Sequence, residues 1–132
     1  MTHDISTAAK KLRILIVEDE MIVALDLQQQ LRALGCDPVG HATRGEQAIR
    51  LATELRPDLV LMDVRLADDM DGIQAAQAIR TQLGVASVFL SAFTDDAARD
   101  RAQLCDPAGY LDKPYDTEAL REVIAAFVER AG

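Results

Sequence analysis

Residues 58–63 read Asp58-Leu59-Val60-Leu61-Met62-Asp63, four apolar side chains in a row between two acids. A strand with one wet face alternates apolar and polar residues, whereas a strand covered on both faces reads as an unbroken apolar run. The run is therefore expected to be the central strand of a parallel sheet, with Asp63 standing where that strand leaves the core. Further runs of this kind recur on either side: Arg13 to Val17 (RILIV), Val85 to Leu90 and Ala108 to Leu111. Asp37 to Ala42 is weaker and carries Pro38 near its start, which marks an edge strand. Segments of helical period separate these runs, so the chain reads as five successive strand–helix units in an α/β domain.

The helical segments have recognisable stops and starts. Val23, Leu27, Leu31 and Leu34 share one face of the first helix before Gly35 ends it. Thr43 and Glu46 form a capping-box pattern, and the helix they open turns Ala48, Leu51, Ala52 and Leu55 inward until Pro57. A third helix presents Ile73, Ala76, Ile79 and Leu83 and stops at Gly84, and the last begins near Asp116 or Thr117 and presents Leu120, Val123, Ile124, Phe127 and Val128. The fourth, expected over about Thr94 to Leu104, differs from the rest. Its only large apolar residue is Leu104, so it should be the helix held by the least burial and the easiest to shift.

At 132 residues the chain fits one domain, expected over 12–130, after a loose leader at 1–11 and with no output domain. Hydrophobic residues make up 49% and charged residues 27%, the profile of a water-soluble globular chain. A net charge of −8 argues against nucleic-acid binding, which needs a basic face, and favours a protein or metal partner. No apolar stretch approaches the roughly 20 residues of a membrane span, and the start resembles no signal peptide, so a cytoplasmic location is expected without membrane attachment. Cys36 and Cys105 are too few for a disulfide framework or zinc site and are expected to be reduced structural thiols.

Parallel strands bring their carboxyl ends to one edge of the sheet, where open α/β folds bind ligands. Four groups of residues meet there: Glu18, Asp19 and Glu20 after the first strand, Asp63 after the third, Ser91 after the fourth and Lys113 after the last. Each has an ordinary explanation. An acidic triplet is usually a solvated loop, a strand-end acid can cap the next turn, a lone serine usually satisfies backbone, and a lysine usually adds solubility. Together they suggest a pocket for a divalent cation and a phosphoryl group. Crowded carboxylates repel unless a hard cation such as magnesium neutralises them, with Glu18 and Asp19 the preferred ligands and Glu20 expected to cap the next helix. Asp63 is then a carboxylate nucleophile that takes a phosphoryl group as an acyl phosphate, and Lys113 reaches across to a phosphoryl oxygen. Pro114 would turn Lys113 inward, and its peptide bond is a candidate for the cis form. Tyr110, read by itself, is a partly exposed aromatic with its hydroxyl in water. His3 and His41 lie outside any setting for a histidine-based nucleophile, and no phosphate-cradling glycine loop is present.

IVEDE at 16–20, LMDVRL at 61–66, MDG at 70–72, FLSA at 89–92 and GYLDKP at 109–114 occur in an order and at intervals that resemble the response regulator receiver domain. The resemblance runs from about Arg13 to Val128. It implies a flavodoxin-like, doubly wound sandwich with a five-stranded parallel sheet of order 2-1-3-4-5. It further implies Asp63 as phosphoacceptor, Glu18, Asp19, Asp63 and the backbone carbonyl of Arg65 as Mg2+ ligands, and Ser91 with Lys113 on the phosphoryl group. Ser91 and Tyr110 would form a linked switch pair acting on the face of the fourth helix, last strand and last helix. Two features depart from the family pattern: the loop from Asp63 to Gly72 is one residue longer and lacks the usual proline, and CDPAGY replaces the commoner Gly-Ala pair before the switch aromatic.

The resemblance implies a single-domain response regulator rather than an enzyme with a small-molecule product. Its partner would be a sensor histidine kinase or a histidine phosphotransfer protein, and the switching face offers a homodimer surface. Two other readings stay open on the residues. A phosphorylation-independent binding module would keep partner binding in Asp63→Asn, and a magnesium-dependent phosphohydrolase would turn over phosphomonoesters, although Arg65 stands where its general acid belongs.

Overall fold

The computed structural model describes residues 11–66, 69–92 and 96–131. Five strands, β1 (Arg13–Val17), β2 (Asp37–Ala42), β3 (Leu59–Asp63), β4 (Ala86–Ala92) and β5 (Gly109–Lys113), alternate with five helices. The helices are α1 (Met21–Ala33), α2 (Gly45–Leu55), α3 (Gly72–Leu83), α4 (Asp96–Gln103) and α5 (Thr117–Ala131). All strand pairs are parallel, in the order β2-β1-β3-β4-β5. The chain therefore moves one way from β1 to β2 and the other way to β3, which opens a crevice at the carboxyl ends of β1 and β3. Among the described residues no helix is long and apolar enough to cross a membrane.

Every residue of β3 is buried, as its unbroken apolar run requires. Alternate side chains serve two cores. Leu59 and Leu61 join Ile14, Ile16 and Leu90 beneath α1 and α5, whereas Val60 and Met62 join Leu15, Val17 and Phe89 beneath α2, α3 and α4. Cys36 lies in the first of these clusters and Cys105 in the second, both buried.

Several local expectations are corrected. Helix α2 is preceded by Arg44, not Thr43, and has no side-chain cap; Thr43 instead donates its N–H and hydroxyl to Gln47 Oε1 at 2.9 and 3.3 Å, one residue beyond the expected Glu46 partner. Glu20 occupies the N-cap position of α1 but forms no side-chain cap bond. The capping box that does form belongs to α3, where Asp71 and Gln74 exchange bonds of 3.0 and 2.9 Å. Asp116 caps α5 by accepting from the Ala119 N–H at 2.8 Å. β4 extends through Ser91 and β5 through Lys113, so both residues are held by sheet bonding rather than by loops.

Helix α4 ends at Gln103, and Leu104 is 84% exposed, so the helix buries little, as expected. Tight turns cause this: the Leu104 N–H bonds Arg101 O and the Cys105 N–H bonds Ala102 O, so Ala98, Ala102 and Cys105 share the inward face. The expected leader lies outside the described residues except for Lys11. So do Ala67 and Asp68 of the lengthened loop, and Thr94 at the expected start of α4.

Candidate functional site

The site begins where the β1 ladder runs out. Glu18 N–H donates to Ala42 O at 2.9 Å, and the Glu18 side chain, fully buried, accepts the Glu20 N–H on Oε2 at 3.1 Å. That bond curls the turn back so that exposed Asp19 faces the end of β3. Asp63 is 5% exposed there; its Oδ1 accepts the Arg65 N–H at 3.1 Å and its Oδ2 accepts from Lys113 Nζ at 3.1 Å. Lys113 Nζ also stands 3.4 Å from Glu18 Oε1, joining groups 95 residues apart in the chain. Register explains the reach: Asp63 pairs with Leu90, Ser91 with Asp112 and Ala92 with Lys113, so successive strands step toward the same point. The Lys113–Pro114 peptide is cis, as expected.

The charges are unbalanced. Glu18, Asp19 and Asp63 each offer an oxygen within 4.8 Å of the others, and among the described residues the Lys113 ammonium pairs with Glu18 and Asp63. Burial pushes the Glu18 carboxyl up to about 7; the Glu20 N–H and Lys113 pull it down, and Asp63 adds to the rise. Burial alone would lower Lys113, but Asp63 and Glu18 outweigh it and hold the ammonium above its usual range. Such a cluster favours uptake of a proton or a cation. Oxygens bound to one magnesium ion lie at most about 4 Å apart because each bond is ~2 Å. Three carboxylate oxygens this close suit a hard divalent ion, which Glu18, Asp19 and Asp63 would hold.

Other groups were not legible as parts of this site. Gly72 N–H donates to Val64 O at 2.8 Å, and a Cβ added to Gly72 would stand 1.9 Å from the Asp63 carbonyl oxygen. Only glycine lets the start of α3 rest on the backbone of the Asp63 turn. The MDG triplet was the signal for it. His41, one strand away, bonds Glu18 O through Nε2 at 2.7 Å.

Tyr110 corrects an expectation. Its hydroxyl is buried and finds no hydrogen-bond partner among the described residues, rather than lying in water. Its ring lies 6.1 Å from Phe89, and the Arg99 guanidinium of α4 covers it at 5.1 Å from the ring centroid. Arg99 also pairs with Asp112 of β5 at 2.5 Å, and Arg101 pairs with Asp71 at 2.9 Å. These two arginines tie down a helix that was expected to be held by little burial. Ser91 is 6% exposed and sits beside the Asp63 level on β4. Burial drives the Tyr115 hydroxyl well above the usual phenol range, with nearby Glu18, Asp26 and Asp63 adding to it.

A model of the response regulator receiver domain matches residues 14–125. The chain belongs to that family. This receiver is 38% identical over 123 residues to the transcriptional regulatory protein PdtaR of Mycobacterium tuberculosis, covering 93% of the chain and 60% of PdtaR's length. It is 34% identical to the probable chemotaxis protein CheY of Rhizobium etli, covering 89% of the chain and 93% of that protein. Among solved structures, the signal receiver domain of a modulated diguanylate cyclase from Desulfovibrio desulfuricans G20 superposes with a TM-score of 0.85 at 33% identity, covering 92% of this chain and 96% of that one. The receiver domain of sensor histidine kinase PA1611 from Pseudomonas aeruginosa PAO1, solved with a magnesium ion coordinated in its active-site cleft, reaches 0.80 at 30% identity over 90% of this receiver and 98% of its own chain. The doubly wound fold of order 2-1-3-4-5 and the response-regulator family expected from the residues are thus both shown.

Proposed function

We propose that this receiver is a cytoplasmic response-regulator module that takes a phosphoryl group from a phosphohistidine onto Asp63, with Mg2+ as cofactor, and signals through protein contacts or drains phosphate from its donor. The observation that carries the reading is Asp63 Oδ2, 3.1 Å from Lys113 Nζ, at the rim of a three-carboxylate cluster that fits a divalent ion. An Asp63 oxygen attacks phosphorus while the P–N bond breaks. The imidazole leaves with the bonding electrons and takes a proton from solvent. Bound magnesium would supply the positive charge that lets one anion approach another. Lys113 is placed to pair with a phosphoryl oxygen, and Ser91 to offer a hydroxyl to another. Water later restores the carboxylate and releases inorganic phosphate, so the chain assists its own modification and is not an enzyme acting on a small-molecule substrate.

A protein donor, rather than a metabolite, is supported by the rim of the pocket. Helix α1 exposes three apolar side chains near its start, Met21 at 56%, Ile22 at 83% and Leu25 at 49%. Beside it runs a groove of about 420 Å3 lined by Ile22, Val23, Lys113, Pro114 and Tyr115 among others. A histidine kinase or histidine phosphotransfer protein seated there would deliver its imidazole to Asp63.

Acetyl phosphate with magnesium should add one acid-labile, hydroxylamine-sensitive phosphate, lost in Asp63→Asn. A phosphate found on Ser91 overturns the assignment. Lys113→Ala should keep some phosphorylation yet lose the conformational response seen by nuclear magnetic resonance. Partner binding unchanged in Asp63→Asn would instead support a phosphorylation-independent module, and turnover of a free phosphomonoester a phosphohydrolase.

A further inference from the structure

β2 ends at Ala42, level with Val17, the last residue of β1. Glu18 N–H finds Ala42 O, and this is the last rung joining the two strands. Thr43, just past the end of β2, gives its N–H to Gln47 Oε1 at 2.9 Å as the chain leaves the sheet. The Glu18 carbonyl is met instead by a side chain, His41 Nε2, at 2.7 Å. A carbonyl only accepts, so Nε2 carries the proton.

That carbonyl belongs to the planar peptide joining Glu18 to Asp19. Holding it sets the directions in which both side chains leave the backbone. The constraint matters because Glu18, buried without exposure, and Asp19, exposed, must aim oxygens at one point beside Asp63 despite mutual repulsion. A turn free to rotate would relieve the repulsion by spreading the acids. We infer that His41 is a positioning residue for the cation-binding turn: its ring N–H, donated to the Glu18 carbonyl, preorganises Glu18 and Asp19 for a divalent ion. His41 touches no ligand itself. Groups that orient metal-binding residues in this way typically change metal affinity by roughly 10- to 100-fold when removed.

The inference rests on the acid cluster being a cation site, and the test separates the two ideas. Magnesium affinity is measured by titration calorimetry on the full chain at one fixed pH for the wild type and for His41→Leu, His41→Phe and His41→Gln. Glutamine carries an amide N–H at nearly the reach of Nε2, whereas leucine and phenylalanine keep bulk without a donor. Leucine and phenylalanine should weaken magnesium binding by about tenfold or more, with the melting temperature of the metal-free protein little changed. Glutamine should recover most of the loss. Should leucine fail to fold, phenylalanine carries the comparison. Wild-type affinity in the leucine or phenylalanine variant overturns the inference, as does a glutamine variant as weak as they are. A wild type that binds no magnesium at millimolar concentration overturns the cation site, and the positioning role with it.

Discussion

Helices α4 and α5 lie on opposite faces of the sheet near the β5 edge and are held there by different forces. Helix α5 buries Leu120 and Ile124 completely and leans Val123, Phe127 and Val128 on the same core. Helix α4, eight residues long, buries only Ala98 and Ala102 and is tied by Arg99 to Asp112 and by Arg101 to Asp71. Apolar burial is nondirectional and loses energy steadily as surfaces part, whereas a half-exposed ion pair is weak, directional and easily exchanged for water. The molecule thus has one helix built to stay and one that can be re-seated at little cost. The tethers of the second lead to Asp112, next to Lys113, and to the cap of α3, which rests on the Asp63 turn.

The sharpest way to break the contrast is Leu120→Ala. Removing a fully buried leucine should lower the unfolding free energy by about 2–5 kcal/mol, read from urea denaturation; a loss under about 1 kcal/mol would mean packing does not hold α5. Gly72→Ala comes next. Its methyl would overlap the Asp63 backbone, so about 1–3 kcal/mol should be lost, together with a slower phosphorylation of Asp63. Wild-type phosphorylation in that variant would show that the α3 start does not shape the pocket.

Arg99→Leu should cost less than about 1 kcal/mol globally, yet speed amide exchange in α4 and shift the Tyr110 ring resonances, leaving α5 unchanged. Equal exchange in both helices would erase the distinction. The smallest expected effect is acid sensitivity of the Arg101 tether. Burial pushes the Asp71 carboxyl up, but the Gln74 N–H and Arg101 outweigh it and hold the group below its usual 3.8. A folded-state value below the unfolded one adds stability above pH 3.8 that is lost as pH falls through the lower folded value. Amide protection at the start of α3 should therefore fade in that acid range before that of α5.

Much of this was readable without coordinates, and the residues show why. Leu59 to Met62 had to be a doubly covered strand because no wet face tolerates such a run, and from it the strand ends carrying Glu18, Asp63, Ser91 and Lys113 followed. Where reading failed, the choice lay between bonds that the residue pattern leaves equally open, some of them only three or four residues away. Thr43 took Gln47, one helical position past the expected Glu46. The Tyr110 hydroxyl was enclosed by a helix whose arginine covers the ring.

The amino-acid order by itself determined the alternation of strands and helices, the two-sided burial of β3 and the presence of acids, hydroxyl and lysine at one sheet edge, because periodicity and burial act on neighbours in the chain. Only the tertiary structure decided which side chains meet: Lys113 with Asp63 and Glu18, His41 with the Glu18 carbonyl, Arg99 over Tyr110, Gly72 against the Asp63 backbone. Those pairings depend on strand register and helix seating across tens of residues. Hydrogen bonds and ion pairs act only over a few ångströms, so no local pattern encodes them.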